Sequence, residues 1–516
     1  MPASYSSTHY WRAGVAWVET PAGGLMLLIL GTLALRLLFA AAVGLGIDES
    51  YMVAAGRQLQ LSYFDHPPIA WWLSWAAARL AGSDAAIVVR LPFIALFVLS
   101  TVLMYRVTAA LFNKRAGLAA AAVLNAAPVL GLTSATWVLP DGPLMAALLG
   151  MIACLIRALP AQGRAAWGWW LATGIWAGLA LSSKYLAGLT IIGALGFLAS
   201  EPVSRAWLWR PQPYFAALAA VVMFLPALIW NAQHGWVSFA FQGGRAGGHF
   251  SPFGPIAALA GAAVYFLPWI WLPLIGCGVD ALRRGPADRN RWLLLCLAAP
   301  PILFFTAISL WSRTLPHWAA PGYLMPVPLL GDAIARRWSE SRRVRRVVIA
   351  TGMFVVGGTG IFVAGVRYDW LGSVLAHFPS AQDPTMAVVD WTPLRDEFAQ
   401  RGLLDQPGLV VGATRWLDAG KIGYALGGRT PVLCLCTDPH EYGIIAPVAK
   451  YVGSDVLIIA PHTTAGEITA RFGSFFQSIE ALPPATLLYN GHPALTLPLY
   501  LGHRLRPFDV GGARHP

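Results

Sequence analysis

Runs of roughly 20 apolar residues, each long enough to cross the hydrocarbon core of a bilayer as a helix, recur between residues 22 and 366, separated by short polar segments. The pattern predicts helices over 22–43, 87–111, 116–133, 142–158, 166–182, 186–200, 212–230, 254–276, 291–310, 318–335 and 346–366. That is a polytopic α-helical membrane protein with about 11–13 transmembrane helices, given that boundaries of short connections merge or split neighbours. No small-residue cleavage pattern follows the first run, which reads as a retained anchor. One polar interval, 44–86, is too long for an ordinary connection. Within it, 49–60 and 69–81 have apolar residues along one side and suit helices lying in the membrane interface, with Trp71, Trp72 and Trp75 at headgroup level. Pro67 and Pro68 prevent one continuous helix and set a corner between the two. After 366 the pattern shortens: 408–411 and 456–460 are strand-like, and 391–402 and 417–426 are helical. The expected organisation is a membrane domain over 1–366 and a small α/β domain over 367–516.

Composition agrees with this division and adds an orientation. Of 516 residues, 57% are hydrophobic and 12% charged, about half the charged share of an average soluble chain. The formal net charge is +12, which in this setting reflects basic loops and no nucleic-acid partner. Alternate loops carry sixteen Lys and Arg, including Arg283, Arg284, Arg342, Arg343, Arg345 and Arg346, against five in the others: Arg57, Arg79, Lys184, Arg245 and Arg313. The basic loops are expected to face the cytoplasm, which puts the N-terminus inside and everything after 366 outside. For a bacterial chain this means the inner membrane with a periplasmic C-terminal domain. Cys154, Cys277 and Cys296 read as small buried hydrophobes, and Cys434 with Cys436 has a spacing that suggests neither a disulfide nor a zinc site.

The orientation gathers the chemically interesting residues on the outer face. Asp48 and Glu49 follow the first run and either cap the next helix or supply a general base and an acceptor-orienting group. Asp141, before Gly142-Pro143, has the same two readings. Lys184 lies between two apolar helices, where it snorkels to the interface or grips a lipid-linked phosphate. The 231–253 segment combines Gln242, Arg245 and His249 with four glycines, as a mobile phosphate-binding lid or a simple flexible loop would. Arg313 and His317 add cationic capacity or anchor headgroups.

In order along the chain, Asp48-Glu49, Tyr63-Phe64-Asp65-His66-Pro67-Pro68, Arg90-Leu91-Pro92, the segment 139–143 (LPDGP), the segment 178–185 ending Lys184-Tyr185, the segment 229–236 (IWNAQHGW) and the segment 311–324 (WSRTLPHWAAPGYL) form a pattern. It resembles the GT-C glycosyltransferases, and within them the dolichyl-phosphate-mannose-protein mannosyltransferase-like group that includes bacterial lipid A aminoarabinose and galacturonic acid transferases. The resemblance covers most of the chain. It implies transfer of a sugar from a polyprenyl-phosphate donor to a lipid, glycan or protein acceptor among membrane lipids, with inversion. It also implies Asp48 as general base or acceptor-orienting carboxylate, Asp141 as a second acid, and Lys184, Arg245, Arg313 and His317 as donor-phosphate ligands. Glu49, Tyr63, Asp65, His66, Gln242 and His249 are the expected active-site wall. Where aminoarabinose transferases carry an acid followed by Lys, this chain has Asp65 followed by His66, which leaves the sugar open and leaves Asp65 as a candidate ligand of a divalent metal. No other cofactor is implied. A many-helical lipid or lipid-sugar transporter is the alternative class, although its charges belong at the bilayer midplane on broken helices.

Overall fold

The computed structural model describes residues 20–507 except 246, 369, 371–386, 405, 407, 462, 490 and 491. Six helices among the described residues are long and apolar enough to cross a membrane: Pro21–Ala42, Ala86–Leu111, Asp141–Ala158, Gln212–Gln233, Arg289–Ile308 and Arg342–Tyr368. Two further expected spans are bent. Helix Lys114–Ala126 turns by 80° into Val129–Thr136, and Gly254–Phe266 turns by 116° into Pro268–Ala287, so the count is eight if each pair crosses once. Proline is the cause in both. A residue before proline is driven out of the helical region, and Ala127, before Pro128, has ψ 115°, while Leu267, before Pro268, has φ 69° and ψ 126°. The expected 318–335 span is likewise divided, into Ala320–Leu324 and Val327–Arg337 around Pro326. The remaining expected spans, 166–182 and 186–200, are the helices Gly163–Ser183 and Ala187–Ser200.

The chain forms two compact units that interleave in sequence. One comprises Met1–Leu38, Leu91–Leu228 and Ala240–Gly357. Its centre is Asp141–Ala158, 89% of which is enclosed by protein, and this explains why that helix is apolar all round. Helix packing here relies on close approach of small residues. Gly174 and Gly178 lie against the backbone of Ala216 and Ala220, where a Cβ at Gly178 would meet the Ala220 carbonyl oxygen at 2.7 Å. A buried cation is also accommodated: Arg36 donates to Asn125 Oδ1 and to the Gly131 carbonyl, each at 2.9 Å, and lies over the Phe97 ring.

The other unit comprises Phe39–Arg90, Ile229–Phe239 and Gly358–Pro516. It contains a five-stranded sheet in the order β2-β1-β3-β5-β4, with β1 Leu409–Ala413, β2 Val432–Cys434, β3 Asp455–Ile459, β4 Ser478–Tyr489 and β5 His492–His503. Strand β1 runs parallel to β2 and β3, and β5 is antiparallel to β3 and β4. The apolar residues of β1 and β3 pack with Leu433, Ile468, Phe472 and Phe476 in one core. The two expected interfacial helices are Ile47–Gly56 and Ile69–Ala81. Trp71 departs from its expected place at headgroup level. It is fully buried, stacked on Tyr63 at 4.2 Å and edge-on to Tyr51. Cys434 and Cys436, whose spacing did not suggest a disulfide, are nonetheless joined as one.

Candidate active site

Two polar clusters stand out, one in each unit. In the sheet-containing unit, the helix Ile47–Gly56 starts at Gly46, and the Glu49 carboxylate turns back to accept the Gly46 N–H at 2.8 Å. Its two oxygens also accept from Arg90 Nε at 2.9 Å and Nη2 at 2.5 Å, while Arg90 donates to the Val43 and Gly44 carbonyls. Glu49 and Arg90 are both 0% exposed. Glu49 is therefore a cap and a buried ion-pair partner, not the wall residue expected. Asp48, its neighbour, stays exposed. Surrounding protein still strips part of its hydration, and Asp65 and Glu49 add like charge against a smaller opposite effect of His440, so its pKa is raised.

One turn along the same helix, the Tyr51 hydroxyl donates to Asp65 Oδ2 and accepts the Glu441 N–H at 3.0 Å. The other Asp65 oxygen meets Nδ1 of His440, whose Nε2 lies 3.1 Å from Asp438 Oδ2. The His440 ring stacks on Trp416 at 4.2 Å between centroids. Burial alone would lower the His440 pKa, but the hydrogen bonds and charges of Asp438 and Asp65 outweigh it and hold the value up at about 9. Burial would conversely raise Asp65, and the His440 hydrogen bond and charge, with His66 and Tyr51, keep it below the usual carboxylate range. Glu441 grips the same corner, accepting from Gln60 Nε2 at 2.5 Å and from the Phe64 N–H at 2.7 Å. Its burial pushes its pKa up to about 8. Gln60 is in turn held by Trp230 Nε1 at 2.9 Å.

The proline corner is thus a pinned element. Tyr63 is fully buried, with its hydroxyl donating to the Gln58 carbonyl at 3.2 Å and its ring on Trp71, so it supports the corner from inside and does not line a wall. His66 is half-buried beside Asp65. Asp65 does not suit a metal. Both of its oxygens are engaged by Tyr51 and His440, and among the described residues no group of three or more His, Cys, Asp and Glu side chains converges on a point.

In the helical unit, Lys184 ends the helix Gly163–Ser183 and places Nζ 3.0 Å from both oxygens of Asp141, the first residue of helix Asp141–Ala158. Both are buried. His317 feels Lys184, Asp141 and Arg245. Burial first, then the two cations, pull its pKa down to about 4, so it is neutral near pH 7 and offers a ring nitrogen in place of the cationic capacity expected. The Arg245 guanidinium lies over Phe241 at 4.4 Å and Trp318 at 5.5 Å, and the Arg245 carbonyl accepts from Ser312 Oγ at 2.5 Å. That bond, with Ser251 N–H to the Leu310 carbonyl at 2.6 Å, ties the glycine-rich segment down. Gly254 is required there, since a Cβ would sit 1.7 Å from the Ser309 carbonyl oxygen. Within 231–253, residues Val237–Gly244, including Gln242, are a helix. Arg313 and His249 are exposed.

His440, with Glu441 and Trp416 near it, escapes a reading of the sequence because it lies 375 positions from Asp65 in the chain, whereas Tyr51 is only 14 away but reads as an ordinary helix residue. A weak signal existed. The segment Thr437-Asp438-Pro439-His440-Glu441 puts three ionisable residues in a short loop directly after a strand, a common place for functional side chains.

Comparison with known proteins bears on what such clusters do. The family model described as dolichyl-phosphate-mannose-protein mannosyltransferase matches residues 65–230. A lipid A galacturonosyltransferase, RgtD of Rhizobium johnstonii, is 25% identical over 319 residues, 58% of this chain and 62% of that protein, so the match spans less than two thirds of the relative. The crystal structure of ArnT from Cupriavidus metallidurans superposes with a TM-score of 0.64 at 16% identity, covering 93% of this chain and 98% of ArnT. The same protein bound to undecaprenyl phosphate superposes equally well, at 15% identity. The chain is a multi-pass membrane protein with the fold of ArnT; its residues 65–230 match the dolichyl-phosphate-mannose-protein mannosyltransferase model, and it is similar to a lipid A galacturonosyltransferase.

Proposed function

We propose that the chain transfers a sugar from a polyprenyl-phosphate-linked donor to an acceptor on the outer face of the cytoplasmic membrane, with inversion. The observation that carries this reading is the buried Lys184–Asp141 pair, with His317 within the influence of Lys184, Asp141 and Arg245. Fixed cations in a low-dielectric setting serve an anion whose charge grows during reaction. Lys184 and Arg245 hold the donor phosphate, Asp141 fixes Lys184, and the neutral His317 donates a ring N–H. Asp48 is the general base, its raised pKa bringing it nearer the working pH. The acceptor heteroatom forms its bond to the anomeric carbon as the sugar–phosphate C–O bond breaks. The acceptor proton passes to Asp48, and the electron pair leaves with the polyprenyl phosphate. The undecaprenyl phosphate bound to ArnT supports the donor class, and the lipid A galacturonosyltransferase supports an envelope glycolipid as acceptor. The Lys and Arg asymmetry supports the outer face, as does the Cys434–Cys436 disulfide, since such bonds persist in oxidising compartments.

The test is reconstitution in liposomes with radiolabelled polyprenyl-phosphate sugars and envelope glycolipid. Lys184→Met and Arg245→Met are expected to lower turnover by about 10²-fold each and to weaken donor binding. Passage of intact donor across the bilayer without cleavage would place the chain among the transporters instead.

A further inference from the structure

The glycosyl-transfer reading leaves unexplained why a loop of the sheet grips the proline corner so closely. His440 has φ 51°, a left-handed conformation that costs a non-glycine residue energy and is retained where the surroundings over-determine it. Its ring is held on three sides: Asp65 at Nδ1, Asp438 at Nε2, and the Trp416 face. Asp65 is 5% exposed, and its other oxygen accepts a hydrogen bond from the Tyr51 hydroxyl. Tyr51 and Asp48 are three residues apart on one helix, hence on neighbouring positions of one face. A path of direct contacts therefore runs from Asp438 through His440, Asp65 and Tyr51 to the helix turn that carries Asp48.

We propose that His440 is a positioning residue: clamped between Asp438 and Asp65 and stacked on Trp416, it fixes Asp65 and Tyr51 and thereby the surroundings of Asp48, the base of the proposed transfer. This rests on the function proposed above. The charge balance is consistent with it. Two carboxylates and an aromatic face favour imidazolium, and imidazolium compensates the buried Asp65 carboxylate. Among the other ionisable groups near the ring, Asp48 interacts with it through its charge. Glu441 is buried and bound to Gln60 and Phe64, and Arg415 and Asp418 at the start of the Trp416 helix pair with each other at 3.4 Å.

His440→Asn is the informative variant. Asn tolerates the left-handed backbone and can donate to Asp65 from the Nδ1 position, but it carries no charge and no ring. His440→Phe keeps a ring and loses every polar contact. The first measurement needs no activity. Hydrogen exchange at the imidazole carbon between the nitrogens, followed residue by residue by mass spectrometry, gives each histidine its own titration midpoint. His440 is expected near 9, falling toward the ordinary 6.5 in Asp65→Asn. An ordinary midpoint in the wild type overturns the clamp. The second is steady-state transfer. His440→Asn should fold, lose between about ten- and a hundredfold in kcat with little change in KM, and lack the alkaline decline near pH 9 expected of the wild type. His440→Phe should lose more. Wild-type kcat and an unaltered pH profile in His440→Asn overturn the role. A wild-type protein inactive on every donor overturns the transfer reading, and the role with it, whatever the exchange midpoint.

Discussion

Glu49 and Arg90 sit wholly inside the protein and hydrogen-bond one another, the Gly46 N–H and two backbone carbonyls. Removing one partner of such a pair leaves a buried charge without compensation. Arg90→Met is therefore expected to cost about 3–5 kcal/mol in stability, read as a large fall in melting temperature in detergent. Arg284→Gln breaks the exposed pair with Asp280 and should shift melting little. His317 makes a pH prediction with a definite sign. Its folded pKa, about 4, lies below the ordinary 6.5. Between these values the unfolded chain binds more protons, so stability increases with pH across that window and is lost as pH falls through it. His317→Gln should flatten the melting-temperature profile there. The residue types at Asp48, Asp65, Lys184 and His317 could be singled out from the sequence, because charge at the ends of apolar runs is conspicuous. Their protonation and pairing could not, since these depend on neighbours such as Arg245 and His440 that only folding brings close.

Among the elements, apolar length and proline position were legible. The helix Ala86–Leu111 and the interfacial pair Ile47–Gly56 and Ile69–Ala81 form where the hydrophobic pattern puts them. Breaks at Pro128 and Pro268 followed rules visible in the sequence, but whether a proline bends a helix or is absorbed depends on packing. Pro92, Pro226 and the Pro300-Pro301 pair lie inside continuous helices. The long strands β4 and β5 went unread although Asn490-Gly491, a strong hairpin signal, stands between their sequences. Packing makes its own prediction. Gly178→Val would press a branched side chain onto Ala220 and Met223 and should cost about 1–3 kcal/mol by overpacking, seen as lost monodisperse yield and an earlier thermal transition.

For the whole molecule, alternating basic loops were enough to expect a multi-pass chain and an orientation. The division into two interleaved units was not legible, because residues 39–90 and 229–239 join the sheet-containing unit through contacts distant in sequence, such as Arg57 to the Gly423 carbonyl at 2.6 Å and Lys421 to the Leu45 carbonyl at 2.6 Å. The proposed orientation is checked with a membrane-impermeant maleimide on intact spheroplasts. A cysteine placed at the exposed Arg471 should label, and one at the exposed Ala287 should label only after lysis. The most direct test of the proposed chemistry is single-turnover release of free polyprenyl phosphate from a labelled polyprenyl-phosphate sugar, with wild type and Asp48→Asn compared at matched folding and donor occupancy. Release by the wild type, slowed in Asp48→Asn by about 10²–10⁴-fold with donor binding intact, is the expected result; equal rates in the two proteins would contradict a base at Asp48, and no release from any donor would contradict glycosyl transfer itself.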